Sequence, residues 1–66
     1  MDYYITIIRE NNKREVLSKH DNKEEALIAG EAAFKTSNRG DVISCITGNI
    51  VDGKVVGRYN LVKSWF

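Results

Sequence analysis

The chain contains no proline, one cysteine and one histidine in 66 residues. Cys45 alone cannot form an internal disulfide, and Cys45 with His20 cannot complete a tetrahedral zinc site, so no structural cross-link or metal is expected. Long apolar runs are missing too. No stretch approaches the length of a membrane span, and Met1-Asp2-Tyr3-Tyr4 carries no basic region ahead of an apolar segment, so neither a membrane helix nor a signal peptide is expected. With the unpaired cysteine, this favours a reducing, cytosolic setting. Net charge is only +1, with both signs interspersed; no global field would draw the protein to polyanions or anionic membranes.

What is present is ordinary globular material, 42% apolar and 29% charged, which argues against disorder. A chain of this length makes one domain, residues 1–66, and buries only about 60% of its unfolded surface. Such a core rarely supplies more than about 3–5 kcal/mol. With disulfide and metal excluded, tight packing or oligomerisation must provide the support.

The residue pattern reads as ββαββ. Tyr3-Tyr4-Ile5-Thr6-Ile7-Ile8-Arg9 is aromatic and β-branched, which predicts a strand over about 3–10. Asn11-Asn12-Lys13 supplies a turn, and a second strand covers about 14–20. A two-residue loop would set Arg9 against Arg14. A three-residue loop pairs Arg9 with Glu15, Ile8 with Val16 and Ile7 with Leu17, and is preferred on charge. This register puts Tyr3, Ile5, Ile7 and Leu17 on one face, and Tyr4, Thr6, Ile8, Val16, Ser18 and His20 on the other.

Asp21 or Asn22, each followed three residues later by Glu, announces a helix over about 22–37, closed by Gly40. Ala26, Leu27, Ala29, Gly30, Ala33 and Phe34 form its apolar stripe, within which Ala26, Gly30 and Ala33 make a small-residue seam for close approach to a sheet. Ile28 points away from the seam. Strands over about 42–51 and 54–65 flank Asp52-Gly53, the strongest hairpin signal in the chain. An uninterrupted type I′ hairpin there places Ser44, Ile46, Ile50, Tyr59 and Leu61 on one face. That face, with Trp65, is expected to meet the helix. Ile43, Cys45, Thr47, Asn49, Val56, Arg58, Asn60 and Val62 fall on the other face, and Gly48 lies opposite Gly57, a pairing that fits a close contact or a bulge. The expected fold is α+β, a four-stranded antiparallel sheet of order 2-1-3-4 with one helix on one face; order 2-1-4-3 is the alternative.

No catalytic constellation emerges. His20 adjoins Asp21, but neighbours at a strand end point apart and Asp21 suits a helix start. Cys45 sits mid-strand without a basic activator. The glycines lie in or between strands, where they cannot form a phosphate loop, and Asp52 lacks the spaced oxygen ligands of a calcium site. An enzyme, a cofactor and a metal are therefore not expected. The expected site is the helix-free sheet face: Tyr4, Thr6, Ile8, Val16, His20, Ile43, Thr47, Arg58, Asn60 and Val62. Two functions suit it. A protein-interaction module would self-associate or bind another protein through this face or an edge strand. The alternative, a single-stranded nucleic-acid platform, would stack bases on Tyr4 and on Tyr59 or Trp65, with Arg58, Lys54 and Lys63 on phosphates. It is disfavoured because Tyr59 and Trp65 alternate like packing residues.

Overall fold

A computed structural model describes residues 2–66. Strands β1 (Tyr3–Ile8) and β2 (Arg14–His20) precede helix α1 (Lys23–Thr36), and β3 (Val42–Val51) and β4 (Lys54–Trp65) follow it. The sheet is antiparallel in the order β2-β1-β3-β4, as preferred from the sequence.

The first hairpin departs from the expected register. Arg9–Asn12 forms a turn, with the Asn12 amide donating to the Arg9 carbonyl at 2.9 Å, and Asn12 takes a left-handed φ of 60°. Asn11 Oδ1 accepts from the Lys13 amide at 3.0 Å. These local bonds lengthen the connection, so Ile8 pairs with Arg14 and Ile7 with Glu15, in place of Val16 and Leu17. An exposed charge pair contributes at most about 1 kcal/mol and cannot dictate register against a well-bonded turn. Arg9 and Glu15 still form an ion pair, as diagonal neighbours rather than directly opposite.

A second correction follows from a bulge. Ile5 pairs with Ser18 and Thr6 with Val16, leaving Leu17 as an extra residue. One added residue reverses the alternation beyond it. Ser18 and His20 therefore share the face of Ile5 and Tyr3, and the Ser18 hydroxyl lies 2.8 Å from His20 Nε2.

Helix α1 starts where the caps indicated. Asn22 has extended dihedrals and its Oδ1 accepts from the Glu25 amide at 2.8 Å; Glu24 and Glu25 sit in the first turn. This satisfies one orphan amide and places negative charge at the positive end of the helix. At the other end Ser37 folds back, its amide and its hydroxyl both bonding the Phe34 carbonyl. Gly40, at φ 96°, belongs to the turn that follows, which the Asp41 amide closes on the Asn38 carbonyl at 3.1 Å.

In the second hairpin, Asp52 and Gly53 have φ of 53° and 74°, as a type I′ turn requires. Pairing runs as expected from Val51–Lys54 to Asn49–Val56 and is then broken twice. Gly57 and Arg58 are extra between Val56 and Tyr59, and Val62 is extra between Leu61 and Lys63. Gly57 takes a φ of 72°, which a Cβ would disfavour.

The single-residue slip at Val62 carries the largest consequence. Trp65 now pairs with Ile43, and the helix meets Ile43 and Cys45 rather than Ser44 and Ile46. The core consists of Ile5, Ile7, Ala26, Ile43, Cys45 and Trp65, flanked by Tyr3, Leu27, Ala29, Ala33 and Val62. Burial pushes the Cys45 thiol upward from its ordinary pKa, with Lys23 pulling partly back, as suits an inert core thiol.

Trp65 is the keystone of this layer. Its indole N–H donates to Glu31 Oε2 at 2.8 Å and its ring lies on Gly30. A Cβ at Gly30 would stand 2.9 Å from Cζ2 of the indole and closer still to Cζ3 and Cη2. The small-residue seam is therefore the seat of one tryptophan. Gly30→Ala should consequently destabilise the protein by about 1–3 kcal/mol in urea denaturation, although helix propensity alone would favour alanine by about 1 kcal/mol. Unchanged or raised stability would contradict this packing.

Candidate binding cleft between the two hairpin tips

The helix-free face was expected to lie open; the structure closes much of it. Thr6 and Ile46 lie there, opposite Ser44 and Tyr4 respectively, and both are fully buried. Neighbouring strands are about 4.8 Å apart, so β2 and β4, separated by β1 and β3, would be about 14 Å apart in a flat sheet. Instead the two edge strands are in contact. The Arg14 guanidinium of β2 stands over the Tyr59 ring of β4 at 4.8 Å from its centroid.

The cause is the two-residue break in β4. At Gly57 and Arg58 the outer half of the β3–β4 hairpin bends out of the sheet plane, since bulges raise local twist and turn a strand. The bent half reaches diagonally over the helix-free face toward the β1–β2 turn. Ile50 and Val55, paired in that half, are partly buried, whereas Val51 and Val56 beside them are exposed.

Arg14 ties the fold-over down. Its Nη1 donates to Thr6 Oγ1 at 2.8 Å and its Nη2 to the Tyr59 hydroxyl at 3.1 Å. These bonds satisfy a buried hydroxyl and hold a long side chain in one position. Between the two tips remains a cleft of about 630 Å³, lined by Lys13, Arg14 and Glu15 from one side and by residues 52–55, Gly57 and Tyr59 from the other.

The ten residues expected to share a surface are divided, because the face of β3 carrying Ile43, Cys45 and Thr47 is the one that meets the helix. Tyr4, Thr6, Ile8 and Val16 lie together on the helix-free face. His20, opposite Tyr3, and Thr47, paired with Asn60, lie on the helix side, while Ile43 is in the core and Val62 packs against it. Arg58 is exposed in the Gly57 bulge. Of the residues that a nucleic-acid platform would use, Tyr4 and Tyr59 share the helix-free face, whereas Trp65 is buried and Lys63 stands over its ring at 5.2 Å on the opposite side of the sheet. Arg14 was missed as a site residue. Its signal was its proximity to the Asn-rich turn, which left a long cation at a hairpin base.

No group of His, Cys, Asp and Glu able to hold a metal occurs among the described residues, and no helix is long and apolar enough to cross a membrane. The chain matches no known family model, no curated protein and no solved structure, so its geometry alone carries the functional argument.

The fold-over has a local test. Tyr59→Phe removes one acceptor of Arg14 and should cost about 1 kcal/mol. Amide hydrogen exchange should then quicken over residues 49–58 while β1 stays protected. Equal acceleration in β1, or none in the hairpin, would show that the Arg14–Tyr59 contact does not hold the bend.

Proposed function

We propose that the protein is a non-enzymatic interaction module that self-associates through edge strand β4. The observation that carries this reading is the character of that edge. β4 borders the sheet over all of its 12 residues, and a border strand presents unpaired N–H and C=O groups to any second strand. Leu61 is 59% exposed beside it, Tyr59 43% and the following Phe66 90%.

The other edge, β2, is shorter, at seven residues. The bulges at Gly57–Arg58 and Val62 confine regular pairing on β4 to the segment between them and to its ends. A two-fold arrangement centred near Asn60 and Leu61 would set this segment against its own copy, since an isologous interface uses one patch twice. It would cover Leu61 from both sides and add burial to a core of only a few large side chains.

Leu61→Glu places like charges at the centre of this contact without touching the core. Light scattering should give a mass of two 7.5 kDa chains for the wild type and one for the variant, with similar circular dichroism. A wild-type monomer at high micromolar concentration, or a variant that remains dimeric, would overturn the reading.

A further inference from the structure

We infer that the cleft between the two hairpin tips binds a phosphate monoester, the phosphate on Arg14 and its organic part against Val55, Gly57 and Tyr59. The cleft takes Val55, Gly57 and Tyr59 from the outer half of β4, but its anchor lies on β2 and the site does not depend on self-association.

Arg14 is the anchor. Thr6 and Tyr59 fix its position with two hydrogen bonds, and the Tyr59 ring supports its plane. Neither partner is an anion. The ion pairs among the described residues are Arg9–Glu15 and Lys19–Asp2, so this partly buried guanidinium has no carboxylate of its own. A guanidinium carries five N–H donors, and two of the bonds they make are used by neutral hydroxyls. The remainder are free for a planar or tetrahedral oxyanion, the partner that guanidinium geometry fits best.

The surrounding charge suits a dianion. Lys13 and Lys54 line the same cleft, one from each tip. The acids there are Glu15 and Asp52, and Glu15 is already neutralised by Arg9. Three cations thus face one uncompensated carboxylate, an excess of two charges, which matches a phosphate monoester. The volume of about 630 Å³ exceeds what a bare phosphate fills. The rest of the lining, Val55, Gly57 and the Tyr59 ring, offers an apolar wall to a small flat group.

The test is a titration of ¹⁵N-labelled protein with inorganic phosphate and with phenyl phosphate at constant ionic strength. Both should produce saturable shifts confined to residues 13–15 and 52–59, with phenyl phosphate binding several-fold more tightly through its ring. Arg14→Gln should weaken phenyl phosphate by about tenfold or more. Lys19→Gln, on the same strand outside the cleft, should leave the affinity unchanged. Should Arg14→Gln fail to fold, the double variant Lys13→Gln/Lys54→Gln, at exposed positions, is expected to show a comparable loss. Non-saturable shifts spread over Lys19, Lys35 and Lys63, or wild-type affinity in a folded Arg14 variant or in the double variant, would overturn the assignment.

Discussion

A single residue, Val62, decides which way the end of β4 faces. Without it the alternation of the strand would carry Trp65 to the side of Ser44 and Ile46. With it Trp65 pairs with Ile43, reaches Glu31 through its indole N–H and rests on Gly30. Strand alternation has period two, so one inserted residue exchanges faces for everything beyond it. The composition of the core, the position of the helix and the seat of the tryptophan all depend on that slip.

The two-residue break at Gly57 and Arg58 acts differently. Because it inserts an even number, it preserves the facing of β4 relative to β3 and changes direction instead. The hairpin bends over the helix-free face, and a protein with too few residues for two full layers obtains a partial second one. Thr6 and Ile46 are buried there, although neither belongs to the helix-side core. A polar tie suits this layer better than more apolar packing. Arg14 reaches both the buried hydroxyl and the Tyr59 ring, and so closes a seam that a chain of this length could not fill with side chains alone.

Much of this was readable from the residues, and the division between what was and was not has a physical basis. Element order, the Asn22 cap, the Asp52–Gly53 turn and the Gly30 seam follow from local chemistry that each short segment carries by itself, and the strand order β2-β1-β3-β4 from requiring every neighbouring pair to be antiparallel. Bulges do not. Leu17 and Val62 are ordinary β-branched or aliphatic strand residues, and nothing in their type marks them as extra. The bulge at Gly57 could be suspected from a glycine opposite Gly48, but its size and the bend it causes arise from tertiary packing. The one-residue bulges at Leu17 and Val62 exchanged faces beyond them, moving His20 to the helix side and joining Trp65 to Ile43. With Trp65 on that side, Ile43, Thr47, Asn60 and Val62, which still share one face, meet the helix side, and Tyr59 falls on the opposite face beside Arg14.

The fold-over brings the two outer strands of a four-stranded sheet together, and the cleft exists only because of it. The most direct measurement is the set of nuclear Overhauser contacts from the Tyr59 ring protons. The bent hairpin predicts strong contacts to the Arg14 side chain, three elements away in the chain order and three strands away in the sheet. Contacts from Tyr59 only to its β3 neighbours, as a flat sheet with its edges about 14 Å apart would give, would contradict it.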